Sequence, residues 1–197
     1  MSDDRVAALD DLGTRAAAIA ATGPQVALVA RLPNGSTDRL ASLAQRFIAL
    51  AAPPMAAVMV TGRADVAMAV GADGVILRQR DLDVAVVSIL FAARHRLIFC
   101  SVHSEPEAVA AVRAGADALI VGTIWPSATH SERPPAGTPL LERVVSLGVP
   151  AYAIGGVTAA RAIEARAAGA WGVAAIGAVW DAPQPYRAAM ELAEVWA

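Results

Sequence analysis

Two glycine-containing stretches in the last quarter of the chain have the composition of an anion-binding site. Gly155 and Gly156 follow one apolar segment, Gly177 ends a second, and a polar, alanine-rich segment separates them. Glycine lets the backbone approach an anion closely, and successive N–H groups can form a positive concavity. A helix that begins beside such a turn adds its partial positive charge. The pattern therefore predicts a phosphate site at two strand ends.

Further phosphate contacts are predicted in the long irregular segment 126–137, which is rich in proline and polar residues. Ser127 and Thr129 carry hydroxyl donors, and His130 can add a positive charge. The alternative for the two hydroxyls is ordinary turn chemistry, and for His130 a solvent-exposed position. Loops of this length in a compact domain are often binding loops. We therefore expect all three residues at the phosphate site.

Two side chains are predicted to be catalytic. Arg31 follows an apolar segment, and its guanidinium offers a fork of donors to phosphate oxygens, although a surface salt bridge is the alternative. His103 also ends an apolar segment and can act as a general acid or base. The alternative for His103 is a purely structural part in ordering the side chains around it.

Other charged residues near strand ends have two interpretations each. Arg63, Arg78 and Arg80, together with Arg31, could hold a diphosphate, or could be solvated loop charges. Asp81 is the candidate metal ligand, with a helix cap as its alternative.

Strands and helices that alternate must position these residues. Three similar segments, near residues 69–77, 113–121 and 167–175, each place a glycine between a helical stretch and an apolar strand. Glycine after a helix end supplies the left-handed conformation found there. Continuously apolar strands indicate a parallel sheet that is covered on both faces. Seven strands are predicted, at 25–30, 56–60, 74–77, 97–102, 118–122, 151–155 and 172–177.

The helices between these strands have recognisable beginnings. Ser104 with Glu107 forms a capping-box pattern, and Thr138 and Thr158 are predicted as N-caps. Residues 4–21 have apolar residues at helical spacing and are predicted to be helical.

This order of elements predicts a single domain over residues 1–197, an α/β fold of the (β/α)8 TIM-barrel, phosphate-binding type. In such barrels the loops after the last two strands bind phosphate. Only seven strands are found, and a helix precedes the first, so we expect the first strand to be lacking or altered. A missing strand leaves two edges with unpaired backbone groups. A rearrangement or a partner would cover them, and a homodimer is one such arrangement.

Composition excludes several classes of partner. The formal net charge of −2 gives no electrostatic basis for binding nucleic acid or an anionic membrane.

The single cysteine, Cys100, lies in an apolar run and is predicted to be a buried small hydrophobe. The chain cannot form an internal disulfide, which fits a reducing compartment. The first residues lack a signal-peptide pattern, and no apolar run has spanning length. We therefore predict a cytoplasmic protein.

Several of these segments, taken in order, resemble the thiamine-phosphate synthase/TenI family. Residues 151–158 resemble its seventh strand and phosphate loop, 167–177 its eighth strand, and 115–129 its sixth strand. Residues 101–104 and 62–67 are similar to the TenI branch. The resemblance implies a (β/α)8 barrel that binds a thiazole phosphate. The synthase joins this ligand to a pyrimidine diphosphate and releases pyrophosphate, whereas the TenI branch includes a thiazole tautomerase.

The chain departs from the family pattern at positions that the resemblance associates with chemistry. Synthases carry Gln-x-Arg-x-Lys after strand two, where this chain has Val29, Arg31 and Pro33. The tautomerase histidine after strand six corresponds to Thr123. A synthase lysine in the strand-six loop corresponds to His130.

The magnesium positions differ as well. Synthases place Asn-Asp after strand three, where this chain has Thr61 and Gly62, and only Asp81 matches a second family aspartate. The resemblance thus implies Mg²⁺ as a cofactor with one remaining carboxylate, a weak anchor for this ion.

We therefore predict a thiamine-biosynthesis protein that resembles thiamine-phosphate synthase, with phosphorylated thiazole and pyrimidine compounds as ligands. The glycines would bind the thiazole phosphate. One alternative is a TenI-like thiazole tautomerase, for which His103 is the evident proton-transfer residue. The other is a non-catalytic barrel that binds thiazole phosphate or thiamine phosphate, which the substituted positions favour.

Overall fold

The structure is a computed structural model that describes residues 1–51, 56–94, 96–127 and 134–197. At its centre lies one sheet of seven parallel strands, and their order in the sheet is their order in the chain. The strands are β1 (Ala27–Ala30), β2 (Ala57–Thr61), β3 (Gly74–Leu77), β4 (Leu97–Val102), β5 (Ala118–Gly122), β6 (Ala151–Ile154) and β7 (Gly172–Ala174). The seven predicted strands are confirmed, with the largest difference at the end of β7.

Helices connect every consecutive pair of strands, which confirms the predicted α/β alternation. The helices are α1 (Asp4–Ala7), α2 (Leu12–Ala20), α3 (Thr37–Leu50), α4 (Ala64–Val70), α5 (Val84–Phe91) with a 3₁₀ turn (Ala92–Arg94), α6 (Glu105–Arg113), α7 (Thr138–Val145), α8 (Ala159–Ala167), α9 (Gly177–Trp180) and α10 (Pro185–Glu194).

Helix beginnings agree with the predictions except in two places. Ser104 accepts a hydrogen bond from the backbone N–H of Glu107, and Thr158 caps α8 in the same way. The prediction for Thr138 is wrong, because Gly137 at φ +71° is the cap and Thr138 is already helical. The helix predicted over 4–21 is divided into α1 and α2, since the chain turns between residues 8 and 11.

The two edges of the sheet, β1 and β7, are bridged by the first two residues of the chain. The backbone N–H of Ser2 donates to the carbonyl of Val29 at 2.9 Å, and the amino group of Met1 donates to the carbonyl of Ala175 at 3.0 Å. Two consecutive residues span roughly 7 Å, so the sheet must curl until its edges nearly meet. An eight-stranded barrel is not confirmed, because the described residues form seven strands. The homodimer stays a prediction.

Side chains on the strands form two apolar layers because successive residues point to opposite faces. One layer lies inside the curled sheet and contains Val29, Met59, Ile76 and Ile120, with Phe99 and Tyr152 stacked at 5.5 Å. The other faces the helices and belongs to the main core. Both faces are thus covered, which explains why the strands read as continuous apolar runs.

Cys100 on β4 is a buried free thiol, which confirms its prediction as a small core residue. Burial raises the pKa of this thiol to about 11. Across the described ranges, no helix combines the length and the apolar character needed to cross a membrane.

Candidate active site

A cavity of about 700 Å³ opens at the carboxyl ends of the strands. Every strand contributes to its lining a residue at its end or within three positions after it. These residues are Arg31, Thr61, Arg78, His103, Thr123, Gly155 and Gly177. In parallel α/β folds and barrels this is the edge at which ligands bind. The structure therefore brings the predicted site residues of six separate loops to one place.

The glycine pair after β6 forms one wall of the cavity. Gly155 has φ +96° and Gly156 has φ +63°, a region that other residues rarely adopt. A side chain at Gly155 would approach Thr123 Cγ2 to 2.4 Å, and one at Gly156 would approach the carbonyl oxygen of Pro126 to 2.3 Å. Only glycine fits at either position, and the backbone is left bare toward a ligand, as an anion-binding turn requires.

Gly177 lines the same cavity but is not a strand residue. The predicted strand 172–177 ends at Ala174, and Gly177 is the first residue of α9. A side chain there would come within 3.0 Å of Asp181 Oδ2. Gly155, Gly156 and Gly177 thus lie around one cavity, and their binding of phosphate stays a prediction.

Arg161 is a site residue that our sequence interpretation missed. It lies in the first turn of α8, directly after the glycine pair, and lines the cavity. Its Nη1 donates to the carbonyl oxygen of Gly156 at 2.6 Å, and its guanidinium lies 5.9 Å from the centre of the Trp125 ring. Trp125 is held in turn by a 3.1 Å hydrogen bond from Nε1 to Glu164. The sequence feature that could have indicated it is an arginine three positions after the helix cap Thr158.

The loop after β5 is described only in part. Ser127 is half-buried and lines the same cavity as Gly156, and its phosphate contact stays a prediction. Thr129 and His130 lie outside the described residues, so their phosphate contacts stay predictions.

A group of arginines forms a second wall of the cavity. Arg31, Arg78 and Arg80 follow β1 and β3. Burial, opposed by Asp3 and supported by Arg78, lowers the pKa of the Arg31 guanidinium. Ser2 fixes the Arg31 backbone, because its hydroxyl accepts from the Arg31 N–H and donates to the Arg31 carbonyl, each at 2.9 Å. The alternative of a surface salt bridge for Arg31 has no support, since no ion pair of Arg31 is found among the described residues.

Arg78 and Asp81 form a close ion pair. Arg78 Nε and Nη2 contact the two carboxylate oxygens at 2.9 and 2.8 Å, and the Arg78 N–H donates to Oδ2 at 2.7 Å. The Asp81 side chain is only 6% exposed, whereas the Arg78 side chain is 33% exposed and lines the cavity. Hydrogen bonding to Asp81 raises the pKa of the Arg78 guanidinium.

Arg63, which the sequence groups with these arginines, has a different place. It is exposed and pairs with Asp65 and the Thr37 hydroxyl, and it is not part of the cavity lining. Arg63 caps the start of α4, so its side chain turns to its own helix and to α3.

His103 reaches the cavity from the end of β4. Its Nδ1 contacts the carbonyl oxygen of Gly122, and because a carbonyl only accepts, Nδ1 carries the proton in the neutral ring. Nε2 is then the basic nitrogen. This contact orders the cavity mouth and also leaves a nitrogen suited to proton transfer, so both interpretations of His103 remain open.

Thr61 places a buried hydroxyl at the end of β2. The residue is 8% exposed and lines the cavity, and in the described part of the chain its Oγ1 has no hydrogen-bond partner. A buried hydroxyl without a partner costs free energy. A ligand group in the cavity could supply the missing hydrogen bond.

The residues that are present do not fit a magnesium ion. Mg²⁺ at a phosphate site usually needs one or two carboxylates beside the substrate oxygens, and within the described ranges no three His, Cys, Asp or Glu side chains lie together. Asp81 has both oxygens bound to Arg78. The described lining contains four arginines, Arg31, Arg78, Arg80 and Arg161, and no carboxylate.

Comparison with known proteins identifies the family of this chain. Residues 3–179 match the thiamine monophosphate synthase family. The chain belongs to that family. A thiamine-phosphate synthase from Salinispora arenicola is 37% identical over 190 residues, which cover 94% of this chain and 90% of the relative. A thiamine-phosphate synthase from Methanospirillum hungatei is 38% identical over 158 residues, covering 79% and 76%.

Solved structures agree with this membership of the thiamine monophosphate synthase family. A thiamine phosphate pyrophosphorylase from Pyrococcus furiosus has a TM-score of 0.83 at 31% identity, covering 98% of this chain and 92% of that one. A 3-hexulose-6-phosphate synthase has a TM-score of 0.71 at 21% identity, covering 100% and 96%, and shows a shared fold only.

Proposed function

We propose that this protein is a thiamine-phosphate synthase that joins a thiazole phosphate to a pyrimidine diphosphate and releases pyrophosphate. The observation that supports the proposal is a single cavity with two walls whose groups suit anions. The bare glycine turn with Arg161 forms one wall, and the group of Arg31, Arg78 and Arg80 forms the other. A reaction between one phosphorylated and one diphosphorylated substrate needs two such walls.

The glycine wall suits the thiazole phosphate. A monoester phosphate has oxygens that accept from backbone N–H groups and from a guanidinium. The first turn of α8 supports this wall with the partial positive charge of its helix end. Ser127 adds a hydroxyl at the same wall.

The arginine wall suits the pyrimidine diphosphate. In the reaction, the bond between the pyrimidine methylene carbon and the diphosphate oxygen breaks, and its electron pair leaves with pyrophosphate. The lone pair of the thiazole nitrogen then forms the new carbon–nitrogen bond. Guanidinium groups fixed beside the departing oxygens stabilise the charge that develops on them.

The floor between the walls is apolar. Ile76, Ile120 and Ile154 line the cavity there, below the two polar walls. Such a floor keeps water away from the reacting carbon, and water would otherwise compete with the thiazole nitrogen. The Thr61 hydroxyl, which has no partner in the described structure, offers one polar contact to a ring placed on this floor.

An assay of product formation tests the proposal directly. The purified protein is incubated with both precursors, with and without Mg²⁺, and thiamine phosphate and pyrophosphate are measured. We expect both products in equal amounts. Binding of thiazole phosphate without any product would overturn the proposal in favour of a binding barrel.

One observation favours a second candidate function, a thiazole tautomerase. His103 has its Nδ1 fixed on the Gly122 carbonyl, so its Nε2 is available as a base at the cavity. A tautomerase needs one group that removes a proton from the ring and returns it at another position. Mixing the protein with the less stable thiazole phosphate tautomer, without the pyrimidine substrate, separates this function from the synthase.

A further inference from the structure

The Arg78 side chain fills the space beside Gly62, just after the end of β2. Gly62 has φ +77°, and a side chain there would approach Arg78 Nη2 to 2.4 Å and Asp81 Oδ2 to 3.0 Å. The guanidinium therefore lies in the volume that a side chain at residue 62 would fill. The resemblance to the synthases implies a metal-binding aspartate at this position, where this chain has glycine.

The carboxylate that remains is used to hold that guanidinium. Asp81 is nearly buried, and both of its oxygens accept from Arg78 in the bidentate geometry that fixes an arginine most firmly. A carboxylate so engaged cannot bind a metal ion unless Arg78 moves. The pair is neutral as a whole, but its Arg78 end lines the cavity while its Asp81 end is nearly buried, so the guanidinium is the charge that the cavity meets.

Two more arginines extend this charge along the wall. Arg31 and Arg80 line the cavity with Arg78. Burial lowers the pKa of the Arg31 guanidinium, and the charges of Arg78 and Arg80 lower it further. Asp3 and Asp4 oppose this effect on Arg31, but neither lines the cavity. Repelling guanidinium groups gathered around a cavity are stabilised by an anion with several oxygens placed between them.

We infer that the guanidinium of Arg78, held by Asp81 and flanked by Arg31 and Arg80, takes the place of the divalent cation and binds the diphosphate group directly. The inference rests on the proposed function for the identity of the anion. Its consequence is that diphosphate binding and pyrophosphate departure do not require Mg²⁺.

Calorimetric binding of inorganic pyrophosphate tests this inference, with EDTA in one arm and Mg²⁺ in the other. We expect wild-type binding in EDTA, with an affinity no more than about threefold weaker than in Mg²⁺. Arg78→Ala should weaken binding in EDTA by at least about tenfold, the loss of charged hydrogen bonds. Arg63→Ala is the matched control, since Arg63 follows β2 as Arg78 follows β3 but pairs with Asp65 and does not line the cavity, and pyrophosphate binding by this variant should not change.

The effect of Mg²⁺ on pyrophosphate binding by Arg78→Ala shows whether Arg78 binds the diphosphate or only supports the fold. Removing Arg78 frees Asp81, so pyrophosphate binding by Arg78→Ala should become stimulated by Mg²⁺, and more so in Gly62→Asp combined with Arg78→Ala. Circular dichroism confirms that each variant is folded. Arg78→Lys, which keeps the charge without the fork, should bind with intermediate affinity and stay insensitive to the metal.

The outcomes distinguish the inference from the proposed function. Pyrophosphate binding in EDTA without formation of thiamine phosphate would contradict the synthase proposal and still support the inference about Arg78. Product formation together with pyrophosphate binding that occurs only in Mg²⁺ would overturn the inference and leave the synthase proposal standing.

Discussion

The carbonyl oxygen of Gly156 accepts a 2.6 Å hydrogen bond from Nη1 of Arg161. The arginine is thereby fixed beside the glycine turn, and its guanidinium also lies over the Trp125 ring. A cation fixed in this way needs little ordering when an anion arrives, so it contributes more to binding than a mobile one.

Arg161→Ala should therefore raise the KM for thiazole phosphate about tenfold, the effect of one lost charged hydrogen bond. Steady-state kinetics with the pyrimidine substrate saturating measure this change. Arg166→Ala is the control, because Arg166 lies at the other end of α8, bonded to Val195, and does not line the cavity. An unchanged KM in Arg161→Ala would remove Arg161 from the phosphate wall.

Gly156→Ala should abolish binding of thiazole phosphate and destabilise the fold. The left-handed backbone alone costs about 1–2 kcal/mol for alanine, and the overlap with the Pro126 carbonyl adds to this. Gly71→Ala separates the two effects, since Gly71 has φ +80° but no atom within 4 Å of the added carbon. Urea unfolding should show a smaller loss for Gly71→Ala, and calorimetry should show its phosphate binding intact.

Thr61→Val should stabilise the protein slightly and weaken binding of the pyrimidine substrate. The substitution removes a buried hydroxyl without a partner, which we expect to add up to about 1 kcal/mol to the free energy of unfolding. The Thr22 hydroxyl is also buried without a partner in the described structure, but it does not line the cavity. Thr22→Val should share the gain in stability and leave the substrate Kd unchanged. Equal Kd values for both variants would show that Thr61 makes no ligand contact.

Cys100 gives the stability a pH dependence in the alkaline range. Its thiol has a pKa of about 11 when folded, against 9.0 for the ordinary thiol, because burial disfavours the thiolate. Between these values the unfolded chain binds fewer protons than the folded one, so stability falls as pH rises from 9 to 11. Urea midpoints across this range should fall more steeply for the wild type than for Cys100→Ala. Parallel slopes would contradict this assignment.

Features encoded by local spacing could be predicted from the sequence. The seven strands, the caps at Ser104 and Thr158 and the glycine turn each depend on a few neighbouring residues. Because parallel strands present their carboxyl ends at one edge, the meeting of Arg31, His103 and Gly155 at one cavity followed from the topology.

Features that depend on contacts between loops could not be predicted in this way. The fit of Arg78 against Gly62 joins residues 16 positions apart in two loops. The separation of Arg63 from the other arginines depends on Asp65 and Thr37, which both bind its guanidinium. The cap of α7 was predicted at Thr138 but lies at Gly137. The cap residue has a positive φ of 71°, which a threonine rarely adopts.

The ion pair between Arg78 and Asp81 has a consequence for the release of pyrophosphate in the proposed reaction. A metal ion can depart together with pyrophosphate as a complex, whereas a guanidinium stays with the chain. The free, multiply charged pyrophosphate anion must then leave several fixed positive charges, and dissolved ions screen that attraction. Turnover limited by product release should therefore accelerate with moderate ionic strength, before salt begins to weaken capture of the next substrate.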